Sequence, residues 1–572
     1  MALGKAWREG ATPHKPSIAM ISGNGSGRRE RPVSQDVLAL LSVISITVAV
    51  YGGSLGAALD VRQDDHRIVF AGSARPLHRQ VLSLQDSRGR PIEPTVAWYL
   101  RSDSEEHGRF RPVTSFMEAV LPRVLGTNAF AWHLSVLLVA AAVAAALYLV
   151  GRRVGGTPAD GIALSLMIML APDPGPAKVW YQMSVKAESV GTLLIVLSLL
   201  ASLRAAGTNG GTRDDVVALA LIAAAVLLKE PFVLLLPVLL AVRVGLPIFV
   251  GRAAHWRDVP RLRQVVIGYA MIGTLFIGAM CVVLALAPRH SYGTGSLLNW
   301  GKLSAGLFLT LKHVPQQAAG FGPVLVAVVV FSSRLGLNAT CRLFRLALVL
   351  TALWVLPQII LYSLRGGMWD HYWIPCILGF AALNAWGLHT LRERGERVAY
   401  ALAVILLVVW GLNGARVNWM AVENYVQRTL MRNDVVVEVA RKIPSGGRIV
   451  IVADSKMHSE YATSWIFFLA HEGRPATGVL LYDVTESQRA GFSTMFLFPY
   501  GTAFGQLHSC DIDAIVFLDQ PAAFDMVWKQ WYESSCFNEK VFERPQLYYS
   551  IRELTRVLQK TELAVAFNRR LS

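Results

Sequence analysis

The chain of 572 residues has little cysteine and little charge. Its five Cys include no C-x-x-C pair, so the sequence offers neither a thiolate metal site nor a dithiol redox motif. Charged residues make up 16% against 53% hydrophobic ones, at a mean hydropathy of +0.42, which few soluble proteins share. A G-x-G-x-x-G run is missing, which leaves nucleotide binding without a motif. A signal-peptide cleavage pattern is missing too, so the first apolar run reads as an uncleaved anchor.

What is present is a series of apolar runs. Length and hydropathy predict about eleven membrane spans, near 37–59, 129–150, 158–172, 188–204, 214–229, 231–248, 265–287, 321–334, 343–364, 373–390 and 398–415. The predicted fold class is therefore an α-helical polytopic membrane protein of about 11 spans with a small C-terminal α/β soluble domain. Three regions follow: residues 1–36 as a disordered basic cytoplasmic tail, 37–415 as the transmembrane module with a large first outer loop over 59–128, and 416–572 as an extracytoplasmic α/β domain.

The net charge of +16 is not gathered on one soluble face, which argues against nucleic acid. Arg152, Arg153, Arg204, Arg243, Arg334, Arg342 and Arg392 fall in alternate loops, as the positive-inside rule requires if the N-terminus is cytoplasmic. An odd number of spans then puts the C-terminus outside. There, Gly447–Asp454 and Ala514–Asp519 read as strands, with helical stretches at Asn433–Lys442 and Gln520–Glu533, an α/β alternation. Cys510 and Cys536 share that oxidising side and are expected to be bonded or close; Cys281 and Cys376 fall in spans and Cys341 in a basic loop.

The outer side gathers chemistry. Asp64-Asp65-His66-Arg67 follows the first span, and Arg109 and Arg111 precede the second. Lys178, Trp180, Tyr181, Lys186 and Glu188 lie between the third and fourth spans. Lys229-Glu230-Pro231 forms the turn between the fifth and sixth. Arg289, His290 and Tyr292 follow the seventh, and Arg365, Trp369, Asp370, His371, Tyr372 and Trp373 separate the ninth and tenth. Each alone fits a solvated cap, an ion pair or an aromatic belt. Together they place carboxylates, cations and aromatics on one membrane face. Ionisable groups there are expensive without a use, and this set suits a site that binds phosphate and removes a proton.

These residues carry a resemblance. Asp64-Asp65-His66-Arg67-Ile68, Phe110-Arg111-Pro112-Val113-Thr114 and Gly126-Thr127-Asn128-Ala129-Phe130-Ala131-Trp132-His133-Leu134 resemble the opening of the GT-C glycosyltransferase superfamily. The nearest pattern is the O-mannosyltransferase branch that carries tetratricopeptide repeats. Lys186-Ala187-Glu188, Lys229-Glu230-Pro231 and His371-Tyr372-Trp373-Ile374-Pro375 resemble its later motifs, so the likeness covers roughly residues 37–390. Phe110 stands where the family has Tyr and His371 where relatives have Arg. No tetratricopeptide repeat follows, so acceptor choice does not carry over.

The resemblance implies an inverting transfer of a sugar from a polyprenyl-phosphate donor to an acceptor hydroxyl of a protein, lipid or glycan at the outer face of an inner membrane. Asp64 or Asp65 would be the base. Arg109, Arg111, Lys229 and Arg365 would hold the lipid phosphate, with Lys178, Tyr181, His371 and Tyr372 beside it and Glu188 and Glu230 orienting cations or sugar. No third ligand accompanies the acidic pair in sequence, so a metal-free reaction without cofactor is expected over a divalent-metal one. The alternatives are a flippase or transporter, for which mid-span charges or inverted repeats would be needed, a polymerase or ligase of lipid-linked glycans, and an inactive relative that uses its soluble domain for binding.

Overall fold

The computed structural model describes residues 33–61, 65–72, 95–105, 108–183, 186–207, 210–249, 253, 255–286, 301, 304–308, 322–364, 370–453, 458–474, 478–483, 495–498, 509–517, 536–549 and 556–571. The chain is a multi-pass helical membrane protein with a small C-terminal sheet. Among the described residues, eight helices are long and apolar enough to cross a bilayer. The helices are α1 (Val33–Tyr51), α2 (His66–Gly72), α3 (Val96–Glu105), α4 (Pro112–Leu125), α5 (Ala129–Gly155), α6 (Pro158–Met169), α7 (Lys186–Ala205), α8 (Thr212–Leu228), α9 (Leu236–Phe249), α10 (Leu262–Leu286), α11 (Gly322–Leu335), α12 (Leu337–Leu364), α13 (Ile374–Glu393), α14 (Arg397–Lys442) and α15 (His458–His471).

Local chemistry sets their ends. Asn128 caps α5 by accepting the Ala131 amide at 3.2 Å. Thr157 and Asp160 form a reciprocal capping box that opens α6 immediately after α5 closes. The predicted spans at 158–172, 214–229 and 321–334 are helices of 12, 17 and 14 residues, shorter than the ~20 a full crossing takes. They are held inside the bundle by neighbours: Ser165 donates to the Ala144 carbonyl at 2.9 Å, and Ser198 to the Ala218 carbonyl at 2.8 Å.

The interior is apolar but pinned by a few satisfied polar groups. Tyr51 donates to the Met169 carbonyl at 2.5 Å, and Asn418 donates to both the Tyr51 hydroxyl and the Ala171 carbonyl at 3.0 Å. Leaving such groups unpaired in hydrocarbon would cost several kcal/mol, so this trio fixes α1 and α14 against the end of α6. At Gly414 the backbones of α14 and Leu170 approach so closely that a Cβ would overlap the Leu170 carbonyl oxygen. One end of the bundle carries paired arginines: Arg152 with Asp36, Arg392 with Asp160, and Arg243 and Arg261 with Asp215, all at 2.7–2.8 Å. This is the end that the arginine bias marks as inner; its cations are matched by carboxylates that hydropathy does not display.

Four sequence expectations are corrected or sharpened. The boundary at 416 falls inside α14, one unbroken helix of 46 residues, about 69 Å long, twice the ~30 Å hydrocarbon core. The helical stretch at Asn433–Lys442 is its last part. Cys341 lies in α12 rather than in a loop. The first outer loop is not merely a connector, since α2, α3 and α4 fold within it. The Gln520–Glu533 stretch and residues 1–32 lie outside the described residues.

The C-terminal sheet has the order β3-β2-β1-β4-β6-β5. Its strands are β1 (Arg448–Ala453), β2 (Gly478–Asp483), β3 (Met495–Phe498), β4 (Ala514–Phe517), β5 (Phe537–Tyr549) and β6 (Arg556–Asn568). β1 is parallel to β2 and β4, with α15 as the crossover to β2, while β3, β5 and β6 pair antiparallel. A disulfide joins Cys510 to Cys536, with Cα atoms 5.5 Å apart. The sheet is not an independent body. Val565, Ile449 and Trp465 share one hydrophobic core with Ile68 and Val69 of α2 and with Met431 and Val435 of α14.

Candidate functional site

The turn between α8 and the 3₁₀ segment Glu230–Leu235 is the centre of the site. Lys229 ends α8 with extended backbone, and Pro231 forbids helix continuation. Neighbouring elements hold this turn from three sides. Thr114, in the first turn of α4, donates to the Leu228 carbonyl at 2.6 Å. Arg111 grips the Glu230 carboxylate through Nε and Nη2 at 2.7–2.8 Å. Gln358 of α12 donates to the Pro231 carbonyl at 3.1 Å. Beneath it, the Phe232 ring fits against Gly191 of α7, where any Cβ would overlap the ring.

Held this way, Lys229 reaches across to Glu188 in the first turn of α7, and the two form a buried ion pair at 6% and 7% exposure. The Lys229 ammonium also lies 4.4 Å from the Tyr372 ring centroid. Tyr362 stacks behind Tyr372, centroids 4.5 Å apart and planes 12° from parallel. Arg109 joins the cluster from the loop before α4. Burial, then the neighbouring Arg111 charge, lowers the Arg109 pKa, with Glu230, Asp103 and Tyr372 opposing. Burial pulls Arg111 down as well, but the charge and hydrogen bonds of Glu230 more than offset this and raise it. Both guanidiniums stay charged at any physiological pH.

Six of the expected residues thus converge: Arg109, Arg111, Glu188, Lys229, Glu230 and Tyr372. Lys178 opens the 3₁₀ turn Lys178–Trp180 at the same end of the bundle. Tyr181 is buried away from the cluster, against Tyr51 and Tyr425 at centroid distances of 6.3 and 5.4 Å. Lys186 lies over the Trp132 ring at 4.6 Å. Of the acidic pair, Asp65 is 1% exposed and its Oδ2 accepts the Asp60 amide at 2.8 Å. Asp64, Arg289, His290, Tyr292, Arg365 and Trp369 lie outside the described residues, as do the side chains of Asp370 and His371.

Sequence reasoning missed Gln358 and Thr114 as supports of the turn. Gln358 had a signal, since it is a fully buried amide in the apolar run of α12. Thr114 fell inside the Phe110–Thr114 motif, but its role did not show, because a threonine near a helix start usually serves its own helix.

An apolar cavity has none of the expected site residues among its described lining residues. It measures about 190 Å³, is almost wholly apolar, and lies nearer the inner end. It and the cleft at Lys229 both border α7 and α13. The cleft at Lys229 is lined by Thr192 of α7 and Pro375 of α13. The cavity is lined by Leu199 and Leu203, and by Gly379, Ala382 and Trp386, at helical spacing below them. Thr192 and Leu199 are about 10 Å apart along α7. A small cleft holding Lys229 and Glu188 and a larger apolar cavity thus lie along the same two helices.

Fold and site together define a polytopic helical membrane protein with a charged cleft at one bundle end and an α/β domain above it. No known protein family matches the chain, and no curated protein matches it. Among solved structures, it is similar to ArnT from Cupriavidus metallidurans bound to undecaprenyl phosphate (TM-score 0.48, 11% identity, 95% of this chain and 99% of that one). It is also similar to the archaeal oligosaccharyltransferase AglB from Archaeoglobus fulgidus in complex with an inhibitory peptide and a dolichol-phosphate (TM-score 0.43, 11% identity, 92% of this chain and 74% of that one).

Proposed function

We propose that the chain is a membrane glycosyltransferase that moves a sugar, with inversion, from a polyprenyl-phosphate donor to an acceptor hydroxyl at the outer face of the membrane. The observation that carries this reading is the convergence of Arg109, Arg111 and Lys229 at one end of helices that also border an apolar cavity. An anionic head on a long hydrocarbon tail fits both halves, and neither half alone calls for the other. The tail occupies the seam between α7, α9, α12 and α13, and the phosphate meets the cations.

In the reaction, the base takes the proton of the acceptor hydroxyl, the oxygen bonds to the anomeric carbon, and the bond from that carbon to the phosphate oxygen breaks. Negative charge grows on the departing lipid phosphate. Arg111 and Lys229 are already oriented by Glu230 and Glu188, so they stabilise that charge without reorganisation. Tyr372, held between the Lys229 ammonium and the Tyr362 ring, lies beside the phosphate and keeps the lysine in place. Asp64, the leading acid of the pair, is assigned as base, with Asp65 as the alternative, one oxygen of which accepts the Asp60 amide. Metal is not required in this scheme; the cations supply the electrostatic stabilisation. The order of the sequence motifs favours an O-mannosyltransferase-like branch, with the α/β domain facing the acceptor.

The test is binding of a synthetic polyprenyl phosphate to the purified protein, beside the same polyprenol without phosphate. The reading expects the phosphate form to bind, Lys229→Ala and Arg111→Ala to weaken it, and the polyprenol to bind weakly throughout. Equal affinity for the two ligands would remove the cations from the site.

A further inference from the structure

Asp60 and Arg432 form a second buried ion pair that the transfer chemistry does not use. Asp60 leaves the first span at 1% exposure, and Arg432 sits on the outer part of α14 at 7%. One guanidinium nitrogen, Nη1, donates to both Asp60 oxygens at 2.8 and 2.7 Å. The Asp60 amide in turn donates to Asp65 Oδ2 at 2.8 Å. One turn before Arg432, the Thr429 hydroxyl oxygen accepts the Ala58 amide at 3.1 Å. Ala58 and Asp60 are therefore tied to one face of α14 at two points, and Arg432 reaches Asp65 through Asp60.

Apolar contacts extend the same mount. Leu59, Val61, Ile68 and Val69 pack in one core with Met431 and Val435. Phe70 meets Phe467 of α15 with ring centroids 4.7 Å apart. The segment that bears the acidic pair is thus clamped between the outer part of α14 and the helix beneath the C-terminal sheet.

A fully buried ion pair is an inefficient way to gain stability, because desolvation cancels much of the attraction and an apolar pair of equal volume does as well. What such a pair supplies is a fixed register: the arginine accepts only one placement of the carboxylate. We propose that Asp60 and Arg432 are positioning residues that hold Asp65 in one place against α14, and that α14 thereby couples the C-terminal domain to catalysis. This rests on the reading of the acidic pair as the source of the base.

The experiment uses the full-length purified protein and a synthetic polyprenyl phosphate carrying tritiated mannose. Arg432→Met, Arg432→Lys and the apolar double replacement Asp60→Leu with Arg432→Met are compared with Lys229→Ala. The double replacement is expected to stay folded, with an unchanged thermal midpoint and an unchanged donor KM, while kcat falls about 10²-fold. Arg432→Lys should recover part of that loss. Lys229→Ala should instead raise donor KM. Hydrogen exchange at residues 58–72 should rise in the double variant without a change at residues 186–192. A folded double variant with unmodified kcat and unmodified exchange overturns the proposal. If Lys229→Ala leaves donor KM unchanged, or the unmodified protein transfers no sugar, the glycosyltransferase reading fails instead. The exchange measurement still decides the positioning claim in that case, since unchanged exchange at 58–72 refutes it without any turnover.

Discussion

Lys229 and Glu188, separated by 41 residues, meet as a buried ion pair between the end of α8 and the start of α7. Neither charge would rest near the hydrocarbon alone. Their pairing fixes a cation against the Tyr372 ring, where the proposed lipid phosphate would bind.

Removing either partner leaves a buried charge uncompensated, but only the lysine is also proposed to meet the donor phosphate. Glu188→Gln leaves the Lys229 charge without its counter-ion, which costs ~3–5 kcal/mol for a buried pair and should lower the thermal midpoint. Lys229→Ala should weaken polyprenyl-phosphate binding by about 10- to 100-fold, the worth of a hydrogen bond to a charged group. Differential scanning fluorimetry and ligand titration separate the two. Equal effects of both variants on binding, with no change in stability, would contradict this division.

The Thr114 contact predicts a quieter defect. Thr114→Val removes the hydroxyl that serves the Leu228 carbonyl, leaving a buried acceptor unpaired at a cost of ~1–3 kcal/mol. Donor KM should rise modestly with the loss of stability, while Thr114→Ser should restore both. An unchanged Thr114→Val variant would mean that the turn is held by Arg111 and Gln358 alone.

The cavity predicts a dependence on the donor's tail. Ala382 faces the cavity, and Ala382→Trp would fill it without disturbing the charged cleft. Affinity for a long-chain polyprenyl phosphate should drop, while affinity for a short-chain analogue that ends above the cavity should hold. An equal drop for both ligands would show that the tail runs elsewhere.

The disulfide predicts a thiol count. Cys510 and Cys536 are bonded, and Cys281, Cys341 and Cys376 are free. Denatured without reductant, the protein should titrate three thiols, and five after reduction. Closing a loop of this length is worth ~3 kcal/mol, so reduction should lower the midpoint of the C-terminal domain. Five thiols before reduction would refute the bond.

The spans were legible because a bilayer demands long apolar runs and little else matches them. The Lys229-Glu230-Pro231 turn was legible because two charges and a proline interrupt such a run. Arg111 was legible from its motif, but its partner was not, since Glu230 lies 119 residues away. The same distance in sequence hid Asp60 and Arg432, 372 residues apart, each an ordinary charged residue by itself. The domain boundary at 416 was misplaced for a physical reason. α14 leaves the hydrocarbon without ending, so composition changes there while the backbone does not. The capped arginines of the inner end had the opposite history: their bias was visible, whereas Asp36, Asp160 and Asp215 as partners emerged only from packing.

The central claim is that a base in the first outer loop drives sugar transfer from a polyprenyl phosphate. The most direct measurement is the rate at which purified Asp64→Asn and Asp65→Asn transfer a labelled sugar from a synthetic polyprenyl-phosphate donor. Asparagine keeps the shape and removes proton acceptance. Asp64→Asn should lose ~10²- to 10⁴-fold in kcat with donor binding intact. Asp65→Asn can still accept the Asp60 amide through its carbonyl oxygen and should lose less. If both variants transfer at the unmodified rate, the loop carries no base and the account is wrong.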